Sequence, residues 1–354
     1  MADPGSTVST APGHAAGAEP LIRIEGLTKY FPLTSGILFK KTVGQVRAVD
    51  GVDFEVWPGE TLGVVGESGC GKSTVAKLIV GLEKPTAGRI VYKGKDVASM
   101  STGELRRYRR QVQIIFQDPY SSLNPRMTVG DIVSEGWDVH PDVVPKGDRD
   151  REAQELLERV GLNPDSVNRY PHQFSGGQRQ RIGIARALAL KPEVIVCDEP
   201  VSALDVSVQA QVINLLDDLQ TDFGLSYVFI AHDLSVVRHI SDRTAVMYLG
   251  KVVEIGPETS VYDTPSHPYT QALLSAVPVH EPALRGVKER IVLSGDVPSP
   301  ANPPSGCRFR TRCWKATQIC ADEDPALVVR PGSDNPVACH HAEELVVVDT
   351  RAVE

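Results

Sequence analysis

The run Gly66-Glu67-Ser68-Gly69-Cys70-Gly71-Lys72-Ser73 constrains this chain more than any other feature, because it demands a particular strand, turn and helix around it. Thr61 to Val65 is a short apolar run that reads as a buried strand. Ser73 to Leu82 carries Val75, Leu78, Ile79 and Leu82 at helical spacing, so the glycines fall at a strand-to-helix turn. There, glycines let backbone N–H groups curl around phosphate oxygens, and the helix start adds positive potential. Lys72 is placed to reach β and γ phosphates, Ser73 to ligate Mg²⁺, and Thr74 to extend the seat into the helix. A merely structural glycine turn needs neither Lys72 nor Ser73, and Cys70 reads as a small residue of the loop.

A second signal lies downstream. Val194-Ile195-Val196-Cys197 runs straight into Asp198 and Glu199, the pattern of a buried strand whose carboxyl end opens on a ligand crevice. Asp198 is assigned to Mg²⁺ and Glu199 to polarising the water that attacks a γ-phosphate. The bland reading is a strand followed by solvated acids, and it weakens beside a phosphate loop. A second anion seat, Ser175-Gly176-Gly177-Gln178, precedes a strong helix former over Gln178 to Leu190. Two phosphate-binding helix ends in one chain make sense if two chains meet, each lending its second seat to the other's nucleotide.

The rest of the 354 residues arranges itself around these signals. Residues 1–20 are dominated by Ala, Gly, Pro, Ser and Thr and read as a disordered tail. Leu21 to Leu27 and the alternating Val52, Phe54 and Val56 make a β-rich opening. Val112 to Phe116, Val194 to Cys197 and Tyr227 to Ile230 are further short apolar runs, so a largely parallel α/β core is expected. Residues 118–190 read as a helical insertion, with Glu152 to Val160 amphipathic. The core domain is placed at 21–265. A Pro-rich connection with Pro278, Pro282, Pro298, Pro300, Pro303 and Pro304 leads into a C-terminal extension, 266–354. Only one copy of each motif occurs.

With 37 Lys plus Arg against 45 Asp plus Glu, the net charge of −8 gives no global reason to bind nucleic acid, and none is expected as a partner. The basic run Arg106-Arg107-Tyr108-Arg109-Arg110 reads as a solvated helix face. No stretch approaches the roughly 20 apolar residues of a spanning helix, and no signal-peptide pattern opens the chain, so a soluble, cytosolic protein is expected. Four of the six cysteines, Cys307, Cys313, Cys320 and Cys339, crowd the extension. In a reducing compartment they suit a [4Fe-4S] cluster or tetrahedral zinc, and the missing C-x2-C knuckles favour the cluster. Unligated thiols are the third reading. His340 and His341 are alternative ligands or surface histidines.

At Phe174-Ser175-Gly176-Gly177-Gln178 the chain resembles the signature sequence of ATP-binding cassette (ABC) proteins, and Lys72 to Asp198 matches their architecture. Phe174 departs from the Leu of many relatives, a conservative change. The resemblance implies a P-loop ATPase core with an antiparallel β subdomain and a helical subdomain, working as head-to-tail dimers. It implies that Gln117 contacts Mg²⁺, that Ser202-Ala203-Leu204-Asp205 is a dimer-contact loop with Asp205 at the partner's ATP, and that His232 contacts the γ-phosphate. Phe31, or failing it Tyr30, would stack on adenine. Each also has a dull reading: a solvated glutamine, a helix cap, a packed imidazole, a core aromatic.

Phe116-Gln117-Asp118-Pro119-Tyr120-Ser121-Ser122-Leu123-Asn124-Pro125-Arg126 and His267-Pro268-Tyr269-Thr270-Gln271-Ala272-Leu273-Leu274 are similar to the ATP-binding subunits of bacterial oligopeptide and dipeptide importers, relatives of nickel importers. This implies ATP and Mg²⁺ as ligands and a second ABC ATPase subunit, with a heterodimer favoured. It further implies two transmembrane permease subunits, an extracytoplasmic peptide-binding protein, and a place on the cytoplasmic face of the inner membrane. It also leans toward the cluster at the four cysteines. The rivals are a soluble ABC ATPase acting on nucleic acid or ribosomes, a nickel importer subunit, and a metal-binding module with a dead ATPase.

Overall fold

The computed structural model describes residues 19–35, 41–277 and 291–345. Nearly all of the expected 1–20 tail, and Pro278 and Pro282 of the Pro-rich connection, lie outside the described residues. An eight-stranded sheet forms the centre. It contains β3 (Thr61–Val65), β6 (Val112–Ile115), β7 (Val194–Asp198), β8 (Ser226–Ile230), β9 (Arg243–Tyr248), β10 (Lys251–Pro257), β11 (Val328–Val329) and β12 (Pro336–Val337). Their order is β11-β12-β10-β9-β3-β8-β7-β6. Strands β6, β7, β8, β3 and β9 run parallel, and β10 and β12 add antiparallel pairs at one side.

Every residue of β3, β7 and β8 is buried, as expected of parallel strands covered on both faces. The pleat divides their side chains between two cores. Val64, Val194, Val196, Val228 and Ile230 face α1 (Lys72–Ile79) and a four-stranded antiparallel sheet. Val65, Ile195, Cys197, Tyr227 and Phe229 face the opposite core, which also takes in the helical insertion.

The antiparallel sheet has the order β2-β1-β4-β5, from β1 (Ile22–Ser35), β2 (Lys41–Val56), β4 (Ala87–Tyr92) and β5 (Lys95–Asp96). Its first two strands are much longer than the alternation of apolar residues suggested. The long pairing register, from Ile22↔Val56 to Ser35↔Lys41, satisfies the backbone where the side chains are polar, so tertiary pairing overrides a weak local pattern. Helix α2 (Thr102–Gln111) carries the basic run, but Tyr108 is buried and its hydroxyl donates to the Ile79 carbonyl, so it offers no stacking face to solvent.

Between β6 and β7 lie α3 (Val129–Val139), α4 (Arg149–Arg159) and α5 (Gly176–Leu188). Trp137 is their buried hub, its indole N–H donating 2.7 Å to the Ala189 carbonyl. After β7 come α6 (Val206–Phe223), α7 (Leu234–Ile240), α8 (Glu258–Asp263), α9 (Pro268–Ser275) and the short α10 (Ile319–Asp322). Beyond residue 265 the chain packs back on the core rather than hanging from it. Backbone N–H groups of Ser266 and His267 donate to the buried Glu254 carboxylate of β10 at 2.8 and 3.1 Å, and β12 pairs with β10 at Glu254↔Val337.

Candidate functional site

Gly66 to Ser73 connects β3 to α1, as the spacing requires. Two glycines are obligatory for close approach. A Cβ at Gly66 would lie 2.2 Å from the Met247 carbonyl oxygen, and one at Gly71, which caps α1 with φ 113°, would lie 2.1 Å from that of Ala48. Lys72 is buried and bends back over the loop, its Nζ donating to the carbonyls of Gly66 (2.8 Å) and Glu67 (3.2 Å). An ammonium so placed bridges the ring that a phosphate would enter.

The ends of β3, β6, β7 and β8 bring the remaining polar groups together. The Ser73 hydroxyl donates 2.8 Å to Asp198 Oδ1. Asp198 is buried, and burial raises its carboxyl above the usual range, opposed by the Ser73 hydrogen bond and the charges of Lys77 and Lys72. Such a carboxylate beside a hydroxyl is a donor set that a divalent cation would relieve, so the residues fit Mg²⁺. Gln117 Nε2 donates 2.9 Å to Glu199 Oε2, and His232 Nδ1 lies 3.4 Å from the same oxygen. The Glu199 backbone sits at φ 47°, a left-handed conformation costly for a side chain, and its N–H is held by the Ile230 carbonyl at 2.9 Å. Gln117, Glu199 and His232, far apart in sequence, thus meet around one carboxylate.

The second anion seat is formed but turned on itself. Ser175 caps α5, its Oγ accepting from the Gln178 N–H at 3.3 Å while Gln178 Oε1 accepts from the Ser175 N–H at 3.0 Å. A Cβ on Gly177 would lie 2.4 Å from Val208 of α6, which fixes this glycine by packing, and Gly176 lies close to Leu204. Ser175 and Gln178 are exposed. Asp205 stands at the start of α6, exposed and without a side-chain cap bond, so its carboxylate is not spent as a helix cap. On β1 the Tyr30 hydroxyl donates 2.5 Å to Asp50, whereas half-buried Phe31 carries only the Lys29 ammonium 4.9 Å above its ring.

Cys307, Cys313, Cys320 and Cys339 line one cavity with His340, His341, Phe309 and Lys315, and all are free thiols. Burial pushes Cys307 and Cys339 up to about 11 and raises Cys313. Among the described residues no three or more His, Cys, Asp or Glu side chains are set to hold one ion. The four thiols line a shared space with the two histidines.

Sequence reasoning missed the partners of Glu67. Arg312 Nη1 donates to both of its carboxylate oxygens, at 3.1 and 2.9 Å, and the Tyr269 hydroxyl accepts its backbone N–H at 3.0 Å. An acid within a phosphate-binding loop was itself a signal that a cation must stand beside it. The alternating Arg308, Arg310 and Arg312 between two cysteines were the candidates.

Residues 49–202 match the family model described as ABC transporter, and 253–320 match the oligopeptide/dipeptide transporter C-terminal region. The chain is 55% identical over 327 residues to the oligopeptide transport ATP-binding protein AppF of Bacillus subtilis, covering 92% of this chain and 98% of that protein. It is 55% identical over 309 residues to the oligopeptide transport ATP-binding protein OppF of Salmonella typhimurium, covering 87% and 92%. Among solved structures, a dimeric ATP-binding cassette in a post-hydrolysis state bound to ADP and Pi superposes with a TM-score of 0.59 at 28% identity, covering 67% of this chain and 98% of that one.

Proposed function

The chain belongs to the oligopeptide-transport ATP-binding proteins of the ABC transporter family, and from that premise we propose that it is the ATP-hydrolysing subunit that energises import of peptides through a membrane permease. The observation that carries this reading is the convergence of Ser73 on Asp198 and of Gln117 and His232 on Glu199 at the ends of adjacent parallel strands. Gly66 to Thr74 cradles the triphosphate, Lys72 leaves the Gly66 and Glu67 carbonyls to take up β and γ oxygens, and Phe31 stacks on adenine. When bound, Mg²⁺ neutralises phosphate charge, and Ser73, Asp198 and Gln117 are the residues that would hold it. Both contacts to Glu199 fall on Oε2, which orients Oε1 to accept the proton of the attacking water. His232 lies beside the same carboxylate, placed to reach the γ-phosphate.

Ser175 to Gln178 and Asp205 act on the nucleotide of a second ATPase subunit, a related chain rather than a copy. Their exposure, and the unspent carboxylate of Asp205, support action on a facing subunit. ATP favours the closed pair by binding it better than the open one, and hydrolysis with product release removes that bias. The ATPase pair works with two permease subunits, and an extracytoplasmic binding protein delivers the peptide. Among the described residues no helix is long and apolar enough to cross a membrane. On the proposed reading this subunit is held at the cytoplasmic face of the inner membrane by its permease. The cysteine cavity is read as the seat of a [4Fe-4S] cluster, with zinc as the alternative. Four free thiols around one space support a thiol-ligated group there.

Co-expression with its neighbouring permease and binding protein, followed by reconstitution in vesicles, tests the function. ATP-dependent uptake of labelled peptide is expected. Nickel uptake without peptide uptake, or recovery with ribosomes or DNA instead of membrane proteins, would contradict it. For the cavity, anaerobic isolation should give iron and sulfide that Cys313→Ser removes, whereas a colourless, zinc-loaded protein would overturn the cluster.

A further inference from the structure

We propose that Arg312 and Tyr269, both contributed by the chain beyond residue 265, are positioning residues of the phosphate loop that act through Glu67. The proposal rests on the reading that Gly66 to Thr74 holds the triphosphate.

Glu67 is gripped at three points. Its N–H is accepted by the Tyr269 hydroxyl at 3.0 Å, its carbonyl accepts from Lys72 Nζ at 3.2 Å, and its carboxylate receives Arg312 Nη1 on both oxygens. The grip comes from a buried platform rather than from mobile surface chains. The Arg312 side chain is only 9% exposed, with its guanidinium 6.0 Å from the Tyr248 ring. Tyr248 packs on Tyr269 at 4.7 Å between ring centres, and Phe309 packs on both at 5.3 and 5.4 Å.

The chemistry gives this arrangement a purpose. A carboxylate in a loop that must receive a triphosphate repels it, and in a site partly withdrawn from water that repulsion is weakly screened. Arg312 cancels the charge. Tyr269 spends the Glu67 N–H away from the phosphate ring, so the loop enters its turn in one conformation. Of the three grips, only that of Lys72 has to be released when nucleotide enters. The C-terminal segment therefore sets the ATP affinity of a loop about 200 residues before it.

The test is ATP affinity of the full-length chain with Mg²⁺, together with steady-state ATPase of the assembled transporter. Arg312→Gln leaves Glu67 uncompensated and is expected to weaken ATP binding about tenfold or more, with KM rising far more than kcat falls. Adding Glu67→Gln to that variant removes the charge and is expected to restore affinity to within about threefold of the unaltered chain. A purely structural anchor would instead lose thermal stability with Arg312→Gln and show no such rescue. Tyr269→Phe keeps the ring packing and loses only the acceptor, so a three- to tenfold weakening, roughly one hydrogen bond, is expected even where Arg312→Gln fails to fold. Unchanged affinity in folded Arg312→Gln, or in Tyr269→Phe, overturns the role of that residue. Failure of the underlying nucleotide reading would show separately, as ATP binding indifferent to Lys72→Ala, and would take this proposal with it.

Discussion

The nucleotide corner and the cysteine cavity each gather side chains from distant segments, but they are held together by opposite means. In the corner the groups already satisfy one another: Ser73 with Asp198, Gln117 and His232 with Glu199, Lys72 with its own loop carbonyls. They sit at the ends of parallel strands whose spacing the ladder dictates. In the cavity three of the thiols stand on loops and Cys320 on the short α10, tied by contacts such as the Cys307 N–H to the Cys320 carbonyl at 2.8 Å, and burial pushes Cys307 and Cys339 up to about 11, the Lys315 charge opposing it only weakly at Cys339. A sheet edge presets its chemistry before any ligand arrives. A thiol set carried mostly on loops has no such scaffold to preset its geometry.

The largest expected effect breaks the corner without touching its scaffold. Glu199→Gln should keep ATP binding and slow hydrolysis roughly 10² to 10⁴-fold, the range for loss of a general base. Single-turnover hydrolysis beside equilibrium ATP binding measures both, and near-normal turnover would remove Glu199 from its assigned role.

The next effect asks whether the extension is a separate lobe. Phe309 is fully buried against Tyr248 and Tyr269, so Phe309→Ala should cost about 3–5 kcal/mol. Calorimetry should show one transition moving as a whole, since β12 and α9 are built onto the ATPase sheet. An early melting step that leaves ATP binding intact would instead support the expected boundary near residue 266.

Glu254 sharpens the same seam through pH. Burial pushes its carboxyl up to about 7 from an ordinary 4.5, against the pull of Thr270 and the Ser266 and His267 N–H groups, while Glu344 adds repulsion. Between those values the folded state binds more protons than the unfolded one. Its contribution is therefore greatest below about pH 4.5 and declines as pH rises to 7, by up to about 3 kcal/mol. Glu254→Gln should flatten that part of the stability profile, and an unchanged slope would place the titration elsewhere.

The smallest effect on a single chain is expected at the second anion seat. Ser175→Ala removes one side of the α5 capping box and should cost about 1 kcal/mol in denaturant unfolding, while the ATPase of the paired subunits falls far more. Equal, modest losses in both would make Ser175 a helix cap and nothing else.

The corner was legible because its chemistry tolerates little variation in spacing: a phosphate loop needs its strand, glycines, lysine and helix in contiguous order. Asp198 and Glu199 could be read from the apolar run that precedes them. Gln117 and His232 carry no such local mark, and only resemblance to a family assigned them. The hairpin of β1 and β2 was underestimated because its outer pairs, such as Thr34↔Thr42, carry polar residues. The two-residue strands β11 and β12 are too short to leave a pattern. The Glu67 acid signalled a cation but not which one, because Tyr269 and Arg312 lie 202 and 245 residues away, and nothing in periodicity records a meeting at that range.

On the proposed reading, this chain completes a nucleotide site on another subunit. Structure determination of the assembled Glu199→Gln transporter with Mg-ATP tests it most directly. Ser175 to Gln178 are expected within hydrogen-bonding reach of the γ-phosphate held by the partner's phosphate loop, with Asp205 at the same interface. ATP bound at both phosphate loops with the Ser175 corner facing solvent would contradict it.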